Sequence, residues 1–173
     1  MHNPIHKFLT REHTRIEGYL DRAVQDFDQI DQEWYMHFRV GMLTHIKQEE
    51  KVLFKIAQEV KGEPIPLAAQ LRLEHGALTS LLVPPPNRDL VKVIRYLLKK
   101  HDEKEEEPGG MYDICGELTS EQTQRVLLEM RNMPLTPVHP NKDIPLAWDT
   151  AKRSCARAGF DYDAIVRGEV DKS

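Results

Sequence analysis

Apolar residues recur at three- and four-residue intervals along most of this chain, the spacing that lays a stripe down one side of a helix. The first such segment covers about residues 5 to 27, with Leu9, Ile16, Leu20, Val24 and Phe27 on one face. The second opens near Asp31, a residue suited to capping a helix, and carries Tyr35, Phe38, Met42, Val52, Leu53 and Ile56. It stops at Lys61-Gly62, with Pro64 and Pro66 just beyond. A third covers residues 67 to 83 and ends at Pro84-Pro85-Pro86. The fourth opens at Asn87 or Asp89, carries Leu90, Val93, Ile94, Leu97 and Leu98, and breaks before Pro108-Gly109-Gly110. Strand-like alternation is nearly absent. The pattern predicts an all-α chain, and four amphipathic helices with short connections predict an up-down-up-down antiparallel four-helix bundle.

Past the fourth segment the stripe weakens. Residues 120 to 131 read as a shorter helix, Pro134, Pro137, Pro140 and Pro145 mark an irregular stretch, and residues 147 to 158 read as a last helical piece closed by Gly159. The expected organisation is a bundle over residues 1–116 and, over residues 117–173, a C-terminal helix and Pro-rich tail that docks on it.

Composition adds boundaries to this picture. At 173 residues, 40% hydrophobic and 30% charged, the chain is long enough for one domain with a real core. Its formal charge of −4 and the lack of a basic block argue against nucleic acid as a partner. No apolar run is long enough to span a bilayer, and MHNPIHKFLTREH lacks the pattern of a secretory signal, so no membrane role and a cytoplasmic location are expected. Cys115 and Cys155 form neither a CxxC nor a disulfide framework. The unusual count is eight histidines.

Four of those histidines belong to a repeat. HIKQEE at 45–50 returns as HDEKEE at 101–106, and LTREHTRI at 9–16 returns as LRLEHGAL at 71–78. His45 and Glu49, like His101 and Glu105, stand four residues apart, one turn along a helix face. His13, His45, His75 and His101 each fall within the apolar stripe of their segment, so a bundle would bring four imidazoles to its centre. Burying them with two carboxylates and no counterpart would be very costly. Ions held between them remove that cost, with Glu49 and Glu105 each able to span two ions and the histidines completing the outer positions. Carboxylate and imidazole donors without thiolate suit iron or manganese, with zinc possible. Six ligands on four helices exceed a tetrahedral zinc shell, which favours two ions. The acidic run DEKEEE also lies at a helix C-terminus, where a bound cation offsets the unfavourable macrodipole.

The order of these motifs resembles the hemerythrin-like, or HHE cation-binding, family over roughly residues 5–112. The resemblance implies a four-helix bundle holding two non-haem iron ions, with His13, His45, His75 and His101 as ligands and Glu49 and Glu105 as bridges. Two departures stand out. Where oxygen-carrying members place a second His one turn after the third-helix His, this chain has Thr79, which implies an open or water-filled position. Glu17, four residues after His13, is a candidate terminal carboxylate. The early break of the fourth segment at Glu-Pro-Gly-Gly-Met-Tyr implies a more open end as well.

The remaining residues read more plainly. Glu50 and Glu106 face solvent or support a ligand from behind, and Glu12 and Glu74 orient a neighbouring His or serve as helix-surface charges. His6 lies about 10 Å along the helix from His13 and is not expected to share its centre. His2 shares the i,i+4 spacing with His6 near a fraying end. His37 is a boundary residue, and His139 lies in the Pro-rich tail. Tyr19, Tyr35, Tyr96 and Tyr112 are core or rim residues, and Gly41 serves close helix packing or leaves room for a small ligand. The function expected is that of a non-haem di-iron protein that binds or reduces a small oxidant such as O2, peroxide or NO. The alternative is an iron-binding module for sensing, storage or delivery, and the third reading is structural, a metal that only staples the bundle or an interaction protein with no metal at all. The sequence does not identify a protein partner.

Overall fold

The structure, a computed structural model, describes residues 3–170, so His2 and its spacing with His6 lie outside it. All regular structure among the described residues is helical. In chain order the helices are α1 (Pro4–Ala23), α2 (Gln32–Lys47), a π-helical turn (Gln48–Leu53), α3 (Phe54–Lys61), α4 (Pro66–Leu81) and α5 (Arg88–Glu106). They are followed by α6 (Met111–Leu118), a 3-10 turn (Ser120–Gln122), α7 (Thr123–Arg131), α8 (Pro145–Arg157) and α9 (Tyr162–Arg167). No helix among the described residues is long and apolar enough to cross a membrane.

The packing divides into two compact units, Met1–Ala68 with Asp102–Val138, and Ala69–His101 with His139–Ser173. In the first, α1 begins where Asn3 caps it: its side chain accepts from His6 N, and Pro4 supplies a backbone angle already suited to a first turn. Leu9, Ile16 and Leu20 are buried to within 1% of completely, and each such side chain contributes roughly 1.5–3 kcal/mol relative to exposure. Helix α1 ends at Ala23, four residues short of the sequence expectation, because 24–29 turns toward the cap Asp31, whose N–H bonds the Ala23 carbonyl at 2.9 Å. Asp31 then accepts from the N–H groups of Glu33 and Trp34 and opens α2. A Cβ on Gly41 would come within 3.1 Å of Ile16, so this glycine serves close approach of α1 and α2.

Helix α6 has no counterpart in the sequence reading. It packs its buried Met111, Tyr112 and Cys115 in this unit, with Asn3 Nδ2 donating to the Tyr112 carbonyl at 3.4 Å. Any Cβ on Gly116 would overlap the Asn3 side chain, so the glycine is what lets α6 lie so near the start of α1. Helix α7 is tied in by Gln48, whose amide donates to the Met130 carbonyl at 3.0 Å.

In the second unit α5 is capped by Asn87, which accepts from Leu90 N at 2.8 Å. The Pro-rich stretch runs without regular structure into α8, as expected. It is fastened here by Asn141, whose side chain donates to the carbonyls of Leu82, Val83 and Pro84. Gln70 donates to the Ala158 carbonyl at the end of α8 at 2.9 Å. Lys92 reaches Val166 O in α9, a helix the stripe did not predict because six residues are too few to show a period.

Candidate metal centre

In the first unit four side chains that the sequence singled out meet in the interior. His13 comes from α1, His45 from α2, Glu49 from the π-helical turn and Glu105 from the last turn of α5. They offer four ligand atoms within 4.8 Å of one another, and none is more than 6% exposed. His13 Nε2 lies 2.8 Å from His45 Nε2, His45 Nε2 lies 3.1 Å from Glu49 Oε1, and His13 Nε2 lies 3.5 Å from Glu105 Oε2. Glu49 sits in a six-residue π-helical segment, the wider turn found often where a helix serves a functional site.

A fifth side chain completes the group. The Tyr112 hydroxyl, fully buried on α6, lies 2.5 Å from Glu49 Oε1 and 2.8 Å from Glu105 Oε2, both of which can accept its proton. It also lies 2.9 Å from His13 Nε2 and 3.4 Å from His45 Nε2. The sequence reading placed Tyr112 among core or rim residues. The early break after α5, read as opening this end, instead turns the chain into α6 and closes the end with a phenol.

Electrostatics in this group are dominated by its acids. Burial opposes the charged form of His13, but the hydrogen bond to Glu106 and the charges of Asp102, Glu105 and Glu49 outweigh it. Together they raise the imidazole from its ordinary 6.5 to about 9. Glu106 accepts at 2.5 Å from His13 Nδ1, and that bond holds its carboxyl below the usual range even though burial acts the other way. Burial pushes the Tyr112 phenol well up, and the neighbouring Glu105 and Glu49 push it further. The Cys115 thiol is raised for the same reasons, burial first, so it stays protonated and inert.

In the second unit His75 Nε2 and His101 Nε2 lie 3.2 Å apart, both buried. His101 Nδ1 bonds Glu74 Oε2 at 2.8 Å, and Glu74 Oε1 accepts from Gln70 Nε2, also at 2.8 Å. Glu74 thus orients a histidine, one of its two expected roles, while Glu12 pairs with Arg15 on the surface.

Two expectations change. Glu17 is exposed and is not brought to the cluster; the stripe passes through Ile16, and a position four residues past His13 is rotated far enough to leave it. Thr79 is exposed as well, whereas His75 is buried. His6 stays apart from the cluster and bonds Asp113 at 2.9 Å, as its distance along α1 implied. His37 and His139 are exposed.

The donor set can hold a metal ion. Glu106 accepts from His13 Nδ1–H, so a cation that displaces the Nε2 proton would meet a neutral imidazole whose Nε2 lone pair faces the other donors, the arrangement by which carboxylates orient metal-binding histidines. Two buried carboxylates beside two imidazoles leave net negative charge that a cation would balance. No family model, no curated protein and no solved structure matches the chain.

Proposed function

We propose that this chain is a hemerythrin-like non-haem di-iron protein, an up-down-up-down four-helix bundle with a helical C-terminal extension, that binds or reduces a small oxidant such as O2, peroxide or NO. The observation that carries the reading is the paired geometry of the repeat. His13 meets His45, and His75 meets His101, each Nε2 to Nε2 at 2.8 and 3.2 Å, with one histidine of each pair backed by a carboxylate. Sequence repeat and local geometry agree, and a core needs no such duplication. Glu49 and Glu105 are assigned as bridges and the imidazole pairs as terminal ligands. Iron bound there would supply the electrons for reducing an oxidant. The chain's own residues would hold the ions, fix the imidazole tautomers through Glu106 and Glu74, and limit water through the burial of the four histidines, Glu49 and Glu105.

One observation favours the second reading, iron held for sensing, storage or delivery. Tyr112 closes the first-unit cluster at 0% exposure, which restricts access of a substrate to it. Metal analysis tests the shared core of both readings. The purified protein is expected to carry about two irons per chain, and His45→Ala and His101→Ala are each expected to lose iron. Full occupancy in both variants would end the ligand assignment. Spectral changes of the loaded protein on adding O2, peroxide or NO separate oxidant chemistry from simple iron holding, for which the spectra stay unchanged.

A further inference from the structure

We propose that Tyr112 is itself a ligand, its oxygen binding the same ion as His13, His45, Glu49 and Glu105; this rests on the metal-binding reading above. Donors about 2.1 Å from a common ion lie roughly 3.0 to 3.4 Å from their neighbours in octahedral or tetrahedral shells. The hydroxyl of Tyr112 stands 2.5, 2.8, 2.9 and 3.4 Å from the donor atoms of Glu49, Glu105, His13 and His45. All four donor atoms thus lie within 3.4 Å of the phenol oxygen, the shorter contacts being hydrogen bonds, and shifts of a few tenths of an ångström would make that oxygen one more vertex of a common coordination shell. A buried tyrosine kept only for packing needs one acceptor for its single proton. This one is aimed at two carboxylates and two imidazoles carried by three other helices and the π-helical turn.

The positioning is specific. Gly110 starts α6, the Asn3 side chain holds the Tyr112 carbonyl, Gly116 lets α6 close on Asn3, and the His6 ring meets the Tyr112 ring edge-on with centroids 5.7 Å apart. Ligation forms one metal–oxygen bond and breaks the phenol O–H bond, the proton leaving to bulk water; no electron is transferred. A phenolate is a hard anionic donor and favours ferric over ferrous iron, so the site would retain iron in its oxidised state.

Ferric loading of the full chain tests this. The wild-type protein, given ferric citrate, is expected to develop a broad visible absorption from phenolate-to-ferric charge transfer. Raman excitation within that band is expected to enhance tyrosinate ring modes. Tyr112→Phe keeps the ring, is expected to lose both signals, and binds iron at least about tenfold more weakly, the scale of losing a supporting group at a metal site. The wild-type Raman spectrum decides the matter even if the variant fails to fold. Iron bound without tyrosinate modes overturns the ligation while leaving the metal-binding reading intact. An unchanged visible band in Tyr112→Phe overturns it too, and a wild-type protein that takes up no iron overturns both.

Discussion

The two imidazole pairs are copies in sequence and differ in what stands behind them. In the first unit His13 leans on Glu106, whose side chain is 30% exposed, with Asp102 3.6 Å from the same nitrogen. In the second, His101 leans on Glu74, whose side chain is 1% exposed and is itself fixed by Gln70, which also holds the end of α8. A half-exposed carboxylate is screened by water and costs little to lose. A buried one that is part of a chain of hydrogen bonds leaves several groups unsatisfied when removed. Duplication thus preserved the imidazole pairing, while the surroundings made one histidine adjustable and the other rigid.

The largest expected effect is the contrast between those supports. Glu74→Ala should destabilise the metal-free protein by about 3 kcal/mol, the scale of breaking a buried charged pair, and weaken metal binding about 10- to 100-fold. Glu106→Ala should cost about 1 kcal/mol or less, as for partly exposed pairs. Denaturant melts of the two chelator-treated variants check this, and equal losses would erase the contrast.

A middle-sized effect should appear with pH. His13 rises from 6.5 to about 9 on folding, against Glu106, Asp102 and Glu105 from α5 and Glu49 from the π-helical turn, with the Tyr112 hydroxyl and the His45 ring also facing it. A raised pKa stabilises the fold fully below 6.5, and that stabilisation is lost as pH climbs through about 9. The melting temperature of the metal-free protein should therefore fall across that window, less steeply in Glu106→Gln. Metal loading should reverse the slope, because an ion binds the deprotonated imidazole. A metal-free melting curve flat from pH 6.5 to 9 would remove His13 as the adjustable histidine.

The smallest effect belongs to Glu17. It is exposed, so Glu17→Ala should leave iron content unchanged and stability within about 0.5 kcal/mol. Loss of iron in this variant would restore it as a ligand.

Much of this was readable from residue order. The stripes located α1 to α5, and the four repeated histidines and both first glutamates of the HxxxEE words are buried, Glu49 and Glu105 to 0%. These features depend on neighbours three or four residues away, which a sequence displays directly. Glu17 and Thr79 share that spacing and are nevertheless exposed, because i,i+4 places a residue near a face without saying how wide the buried face is. The π-helical turn at Glu49 left no mark either, since one added residue per turn shifts the stripe by less than its width.

By itself, then, the sequence determined an all-helical chain, the pairing of His with Glu one turn apart, and the duplication of that unit, all products of short-range periodicity. Only the tertiary structure decided which carboxylates stand behind the imidazoles and that Tyr112 enters the first cluster. Tyr112 and His13 are 99 residues apart. Their meeting depends on where α6 can lie, which is governed by the Asn3 side chain, the missing Cβ of Gly116 and the volume left beside α1. Packing over such separations is set by the whole interior at once, and no local pattern encodes it.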